Sequence, residues 1–232
     1  MTASQTASEV GGELLSTTVK RLLLDRIMHG HYQPGERIVE LQLAKELGTS
    51  QSPIREALRD LAAAGIVTIH PRRGARVRLP STKELADVSL VRSEVDALAA
   101  RLAAGLLDDD RLAILDGLVD EMLAALEAGD FPAVTGADAR FHQLIAEASD
   151  NHALARVFDQ LSPFARTFIT LTLPDVDVRA IVLEHQVILA ALRDHDPQRA
   201  ADAARTHQLN VSALLQAHYP PATAVTTAGA GD

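Results

Sequence analysis

Four side chains of the types that bind metal ions occur at helical spacing in the second half of the chain. Asp138 and His142 lie four residues apart within DARFHQLIAEASDNHA (residues 138–153), so a helix would place both on one face. His185 and His207 each stand among aliphatic residues three or four positions away, on the apolar faces of two further helical segments. Three imidazoles and one carboxylate are therefore expected to point from three helices into one interior.

This donor set has two interpretations. A single histidine on an apolar helix face is usually a hydrogen-bonded core residue. Several buried imidazoles, however, carry a desolvation cost that a shared divalent cation would offset. Ligands rich in nitrogen favour zinc, with nickel or another late first-row metal as alternatives. The pattern thus predicts a metal site formed by Asp138, His142, His185 and His207.

The composition is that of a globular chain. Of its 232 residues, 47% are hydrophobic, which is enough to fill a core. The absence of cysteine excludes disulfides and thiolate zinc fingers. No apolar run reaches membrane-spanning length, and the first twenty residues lack the apolar core of a secretory signal. A cytoplasmic location without a membrane partner is expected.

The charge is divided unevenly along the chain. The net charge of −9 argues against nucleic acid as a partner, because phosphates attract Lys and Arg. Residues 1–80, however, hold 11 basic and 8 acidic side chains, a net charge of +3, whereas residues 81–232 hold 11 and 23, a net charge of −12. A basic domain therefore precedes an acidic one.

Turn and helix signals give the same division. Residues 1–12 are expected to be disordered, residues 13–80 to form a small domain, residues 81–219 a helical domain and residues 220–232 a disordered tail. The small domain has a helix up to Gly30, two short helices separated by Gly48, and a hairpin of IVTIH and ARVRL. A capping box at Ser81 opens a run of about six helices. The predicted fold class is mostly α: a winged helix-turn-helix with a small β-hairpin wing, followed by an all-α bundle.

The two short helices meet the steric demands of a helix-turn-helix. Ala44 is the small residue at the helix crossing, Gly48 tolerates a positive φ, and Ile54 is the buried aliphatic residue of the second helix. The exposed face of that helix is predicted to carry Gln51, Ser52, Arg55 and Arg59. Arg55 is the predicted contact to a base, and Arg59 contacts a base or a phosphate.

The hairpin adds positive charge. Arg72, Arg73, Arg76 and Arg78 occur within seven residues that contain no acid. Such a wing can lie along phosphates or enter a minor groove. A helix-turn-helix or an arginine run also occurs in proteins that do not bind DNA, but both together in one basic domain predict double-stranded DNA as a partner.

The segment GHYQPGERIVELQLAKELGTSQSPIREALRDLAAAGIVTIHPRRGARV resembles the winged helix-turn-helix of the GntR family of bacterial transcription regulators. Its marks are the PGER turn, the S-x-x-P-x-R-E-A-L block from Ser50 to Leu58 and the Arg-Gly wing tip. Gln51 stands where many relatives have Arg. The candidate DNA-contacting residues are Ser50, Gln51, Ser52, Arg55, Arg59, Arg72, Arg73 and Gly74.

Residues 81–218 resemble the FCD domain, the helical effector domain of the FadR-type subfamily. The marks are D-x-x-F-H at 138–142, the helix EHQVILAAL with His185, His207, and the helix RSEVDALAARLAA with Arg92. The resemblance implies that Asp138 and the three histidines hold a zinc- or nickel-like ion beside a cavity for a small organic acid. Asp96 stands where relatives usually carry Glu.

Four further residues are candidates for binding the effector: Arg92, Asp96, Arg140 and Asn151. Arg92 has two interpretations. It can clamp a carboxylate of the effector, or it can form an ion pair with Asp96 one helical turn away.

These patterns predict a transcription regulator that binds a palindromic operator as a homodimer and whose affinity is controlled by a small organic acid bound beside the metal. One alternative is a metal-free pocket for an acyl thioester. Another is a metal-dependent hydrolase or lyase. The sequence shows no additional general base, nucleophile elbow or phosphate loop, so an enzyme is not predicted.

Overall fold

The computed structural model describes residues 3–70, 73–172 and 176–219. The chain divides into two compact units between Leu79 and Pro80. Most of the described residues are helical, and the strands belong to one small sheet in the first unit. The tail predicted to be disordered, residues 220–232, lies outside the described residues. None of the described helices is long and apolar enough to cross a membrane.

The first unit begins with helix α1, Ala3–Met28. Val19, Leu23 and Ile27 are among its buried residues and lie about one helical turn apart. Helix α1 includes residues 3–12, most of the segment that the sequence predicts to be disordered. Once the packed part of α1 has formed, each further residue adds one backbone hydrogen bond without a new nucleation cost, so the helix extends toward the N-terminus.

Helices α2, Glu40–Glu46, and α3, Gln51–Ala63, form the helix-turn-helix. Gly48 lies between them with φ +62°, a left-handed conformation that favours glycine. Ala44 and Ile54 are buried, as the sequence predicts. The turn therefore brings the apolar faces of both helices onto one core.

Three short strands complete the first unit: β1, Arg37–Ile38, β2, Val67–His70, and β3, Gly74–Val77. They form an antiparallel sheet in the order β1-β3-β2, with Val67 opposite Val77 and Ile38 opposite Ala75. The hairpin of β2 and β3 was predicted, whereas β1 was not. Ile38 and Ala75 are fully buried, so the inner face of the sheet closes the core of this unit.

The second unit contains six described helices. They are α4, Thr82–Ala103; α5, Asp109–Ala128; α6, Phe131–Ala148; α7, His152–Thr172; α8, Arg179–Arg193; and α9, Pro197–His218. Five of them begin at a side chain that accepts a hydrogen bond from the backbone N–H three residues later: Ser81, Asp108, Asp130, Asn151 and Asp196. The cap at Ser81 lies where the sequence predicts the first helix of this unit to begin.

Packing in the second unit brings α6, α8 and α9 together. Helix α4 lies against α9, α5 packs on α6 and α8, and α8 packs on α9. Phe141 of α6 is fully buried, and its ring makes edge contacts with the imidazoles of His142 and His185. The helices that carry the predicted metal ligands are therefore neighbours in one core.

Candidate functional site

The structure brings together all four predicted metal ligands. Asp138 and His142 lie on α6, His185 on α8 and His207 on α9. Each offers one ligand atom, and these four atoms lie within 4.8 Å of one another. The three histidines are buried, whereas Asp138 is half-buried. We call this set the donor cluster.

The carboxylate of Asp138 contacts two of the imidazoles. Its Oδ1 atom lies 3.1 Å from Nε2 of His185 and 3.7 Å from Nε2 of His142. The rings of His185 and His207 have centroids 4.4 Å apart. The donors therefore surround one small volume, as a single shared ion requires.

Contacts on the far side of two imidazoles fix their orientation. Nδ1 of His185 lies 3.0 Å from the carbonyl oxygen of Val182, and Nδ1 of His207 lies 3.0 Å from the Glu184 carboxylate. Both oxygens only accept hydrogen bonds, so Nδ1 is the protonated nitrogen of each neutral ring. Nε2 of each ring then presents a lone pair to the donor cluster, which is the form that binds a metal.

This protonation leaves one contact that a proton or cation must satisfy. If Nδ1 of neutral His185 carries the hydrogen, the lone pair of its Nε2 faces the lone pairs of the Asp138 carboxylate at 3.1 Å. Two acceptors at that distance repel each other. A divalent cation bound to both atoms would remove the repulsion, so the donor cluster fits a metal.

Two other nitrogen atoms of the donor cluster also favour a bound metal. Nε2 of His142 and Nε2 of His207 are buried, and neither has a hydrogen-bond partner among the described residues. Leaving a buried polar atom unpaired costs about 1–3 kcal/mol. The late first-row metals bind such nitrogen atoms readily, so zinc, nickel or a similar ion would supply the missing partner.

Burial sets the charges in the cluster. It lowers the pKa of His142 well below the usual value and also lowers the pKa of His207, because a buried charged ring loses its hydration. Burial raises the pKa of Asp138, but a proton on Nε2 of His185 would donate to the carboxylate and lower that pKa, so Asp138 stays ionised when either a proton or a cation lies between the two atoms. Neutral imidazoles and an ionised carboxylate are the states in which these residues ligate a metal.

Arg92 and Asp96 of α4 form the ion pair that was one of the two expectations for Arg92. Their NH2 and Oδ2 atoms are 3.1 Å apart, and both residues are buried. Asp96 Oδ2 also lies 3.8 Å from Nδ1 of His142. Burial raises the pKa of Asp96 to about 6, and the Arg92 charge opposes that rise. The guanidinium of Arg92 lies 5.2 Å from the centre of the Phe158 ring.

A cavity of about 40 Å³ reaches the donor cluster at Asp138 and His185. The rest of its described wall is mainly aliphatic, with side chains from α5 to α9. Arg92 and Asp96 are not among its described lining residues. The cavity is therefore bounded on one side by two of the predicted metal ligands.

The other two predicted effector residues lie away from this cavity. Arg140 is exposed and forms an ion pair with Glu121 of α5. It is two residues after Asp138, about 200° further around the helix, so its side chain cannot share that face. Asn151 accepts a hydrogen bond from the backbone N–H of Leu154 and so caps the start of α7.

Two residues of the site were not predicted from the sequence. Glu184 accepts the hydrogen bond from His207 and a second one from Nδ2 of Asn210, at 2.6 Å. Asn210 lies three residues after His207, on the same side of α9, and this spacing was the available signal. Glu184 precedes His185 directly and so faces another direction, toward α9.

In the first unit, the predicted reading residues of α3 lie at its accessible side. Ser52, Arg55 and Arg59 are exposed, and Gln51 is half-exposed. The guanidinium of Arg55 donates to Glu40 at 2.7 Å and to Gln51 at 2.7 Å. Ser50 is the N-cap residue of α3, is exposed, and makes no side-chain capping hydrogen bond.

The wing arginines fall into two groups. Arg76 donates to the carbonyl of Gly35 at 2.9 Å, and Arg78 donates to the carbonyl of Gly65 at 3.2 Å, so both brace the sheet. Arg73 is exposed at the tip beside Gly74, whose φ is +79°. Arg72 lies outside the described residues.

Two family models match the chain. Residues 15–77 match the bacterial regulatory proteins of the gntR family, and residues 87–210 match the FCD domain. The second match alone covers more than half of the chain. Both matches lie within the corresponding compact units.

Similar proteins are transcription regulators. A "Probable D-xylose utilization operon transcriptional repressor" of Paenarthrobacter nicotinovorans is 30% identical over 93% of this chain and 91% of its own length. The "HTH-type transcriptional regulator McbR" of Escherichia coli (strain K12) is 26% identical over 87% of this chain and 93% of its own length. A solved structure of E. coli McbR/YncC has a TM-score of 0.76 and 25% identity, covering 88% of this chain and 98% of that one.

A second solved structure, a GntR regulator from Rhodococcus sp. RHA1, shares the fold with a TM-score of 0.76 at 22% identity, over 88% of this chain and 99% of that one. Four findings indicate the same family: the helix-turn-helix, the helical bundle, the two family models and the similar proteins. The chain therefore belongs to the GntR family of bacterial regulatory proteins and carries an FCD effector-binding domain, so it is a transcriptional regulator and not an enzyme.

Proposed function

We propose that this regulator senses a small organic acid at a metal held by Asp138, His142, His185 and His207, and that it binds a palindromic operator as a homodimer. The observation that supports the metal most strongly is the contact between Asp138 Oδ1 and Nε2 of His185, 3.1 Å apart, with Nδ1 of His185 already bonded to a carbonyl. That arrangement needs a cation or a proton between the two atoms.

The protein's own groups prepare the site for the ion. Glu184 holds the ring of His207, and the carbonyl of Val182 holds the ring of His185, each with Nε2 directed to the cluster. Asp96 lies beside Nδ1 of His142. When bound, a late first-row cation supplies positive charge and positions to which the carboxylate of an acid can bind.

The acid is proposed to enter through the cavity beside Asp138 and His185. An acid that binds more tightly to one conformation of the regulator shifts the population toward that conformation. The change in operator affinity cannot exceed the difference in acid affinity between the two conformations. A metal-free pocket for an acyl thioester is less well supported, because it leaves the buried Nε2 atoms of His142 and His207 unpaired.

A homodimer is supported by an apolar surface on the second unit, which we call the α4–α7 face. Leu90, Val91 and Leu98 of α4 are 58%, 52% and 45% exposed, and Val157 of α7 is 40% exposed. They line an open groove of about 620 Å³. A palindromic operator presents the same half-site twice, so a second copy of this chain is the partner that fits the face.

The proposed DNA contacts are the exposed residues of α3 and the wing tip. Arg55 reads a base, and Arg59 contacts a base or a phosphate. Ser50, Gln51 and Ser52 at the start of α3, together with Arg72, Arg73 and Gly74 of the wing, contact the sugar-phosphate backbone or groove edges. Arg55 must exchange its bonds with Glu40 and Gln51 for bonds to DNA.

Metal analysis together with operator selection tests this proposal. The full chain, purified without chelator, is expected to retain about one equivalent of a late first-row metal. A duplex selected from a random library is expected to bind less tightly, or more tightly, when an acid is added to the metal-loaded protein. An unchanged affinity with every acid, or tight binding of an acyl thioester by metal-free protein, would contradict it.

A further inference from the structure

The cavity beside the donor cluster has a mainly hydrophobic wall. It touches eleven described residues, and eight of them have hydrophobic side chains, among them Met122, Ile169, Ile181 and Leu214. Apart from the ligands Asp138 and His185, Thr135 has the only polar side chain in this described wall. The cavity thus joins a polar end at the donor cluster to an apolar interior.

The hydroxyl of Thr135 is already engaged. It forms a hydrogen bond of 2.6 Å with the hydroxyl of Thr170 and lies 3.2 Å from the carbonyl oxygen of Phe131. In exchange for its bonds to water, a ligand hydroxyl placed deep in the cavity would find at most a lone pair of this one hydroxyl among the side chains of the described apolar wall. Burial of an unpaired hydroxyl costs about 1–3 kcal/mol.

The described wall also lacks a cation for a second acidic group. Its residues include no lysine and no arginine. A dicarboxylate would bury its second charge against aliphatic side chains, and this is far more costly than burying a hydroxyl. The wall therefore selects against polyhydroxy acids and dicarboxylates alike.

The size of the cavity limits the rest of the ligand. The cavity has a volume of about 40 Å³. A water-sized group occupies about 10–15 Å³ of such a volume. Roughly three such groups fill it. A tail of two to four carbon atoms is consistent with this space, whereas a long acyl chain is not.

We propose that the effector is a short-chain alkyl monocarboxylate, with its carboxylate at the donor cluster and its tail in the aliphatic cavity. This inference rests on the proposed metal site. The charge of Asp138 repels a carboxylate, so the acid binds only when the cation is present. The selectivity for an alkyl tail comes from the wall formed by Met122, Ile169, Ile181 and Leu214.

Calorimetric titration of the metal-loaded full chain tests the ligand class. The probes are acetate, propionate and butyrate, compared with gluconate and succinate. The affinity is expected to rise about fourfold with each methylene up to butyrate. Gluconate and succinate are expected to bind at least about tenfold more weakly than butyrate, and a chelator abolishes the binding of all five.

Variants of Leu214 assign the binding to this cavity. Leu214 is half-buried, so it can be changed without opening the centre of the core. Leu214→Phe fills the cavity and is expected to weaken butyrate binding about tenfold with the metal content unchanged. Leu214→Ala enlarges the cavity and shifts the preference to hexanoate. Leu209→Ala changes an exposed leucine of the same helix and leaves the butyrate affinity as it was.

The possible failures are distinguishable. If gluconate or succinate binds more tightly than butyrate in a metal-dependent manner, the alkyl ligand is overturned and the metal-linked acid sensor stands. If no acid of either kind binds to metal-loaded protein, both proposals are overturned. If butyrate binds equally well to the wild type and to both Leu214 variants, its tail does not occupy this cavity.

Discussion

The carboxylate of Glu184 joins His207 to Asn210: Oε2 lies 3.0 Å from Nδ1 of the imidazole, and Oε1 accepts a hydrogen bond of 2.6 Å from the amide. His207 is therefore held in the protonation form whose Nε2 faces the donor cluster. A carboxylate in this position also makes the imidazole a better electron donor to a metal.

Glu184→Gln is expected to lower the affinity for zinc about tenfold or more, because a neutral amide orients His207 less strongly and adds no negative charge. Competition with a chromophoric chelator measures the affinity. Glu147→Gln is the matched control, since Glu147 is exposed on α6 and bonds to Gln143. Equal affinities in both variants would show that Glu184 does not support the metal.

His142→Ala and His185→Ala are expected to lose the metal, because each removes one of four converging donors. When the free metal concentration is about 100 times the dissociation constant, binding stabilises the folded protein by about 2.7 kcal/mol. The melting temperature of the wild type should therefore fall on addition of chelator, while those of the variants should not respond. His152→Ala alters an exposed histidine and keeps the response. Undiminished metal in both cluster variants would contradict the site.

Arg55→Ala and Arg73→Ala are expected to weaken DNA binding in different ways. Loss of a base contact at Arg55 should cost about 1–3 kcal/mol on the selected operator and little on random duplex. Loss of a phosphate contact at Arg73 should weaken binding to both duplexes. It should also reduce the slope of log affinity against log salt concentration by about one. Fluorescence anisotropy at several salt concentrations measures both effects.

The control for these variants is Lys83→Ala, which removes an exposed cation of α4 that pairs with Asp87. It should leave the affinity for either duplex unchanged. Losses of equal size on both duplexes for Arg55→Ala would show that Arg55 anchors the protein and does not read sequence.

Val91→Glu is expected to separate the homodimer, because it places a charge in the middle of the exposed α4–α7 face. Light scattering after gel filtration should then give the mass of one chain instead of two. Ile114→Glu is the matched control, since Ile114 of α5 is 55% exposed outside this groove. A variant that keeps the mass of two chains would exclude the face as the interface.

Much of the fold is predictable from local sequence. The caps at Ser81, Asp108 and Asp130 occur where the helix periodicity begins, so local chemistry marks the helix starts. Strand β1 was missed because two residues, Arg37 and Ile38, carry no periodic signal. Its pairing with β3 is a tertiary contact that no local pattern encodes.

The donor cluster is predictable for a related reason. A polar residue on the apolar face of a helix is visible in the sequence, and Asp138, His142, His185 and His207 all stand on such faces. The partner of Arg92 was open, because spacing alone allows both an ion pair with Asp96 and a clamp on a ligand. Glu184 was missed because its contact depends on how α8 lies against α9, which periodicity does not determine.

Gly48 has a left-handed conformation in the connection between α2 and α3. A Cβ atom added there would meet nothing within 4 Å, so a larger side chain has room, but φ is +62°. The penalty for replacing Gly48 is then about 1–2 kcal/mol of torsional strain without any steric clash. A substitution at this position therefore strains the connection between α2 and α3 without crowding any neighbouring side chain.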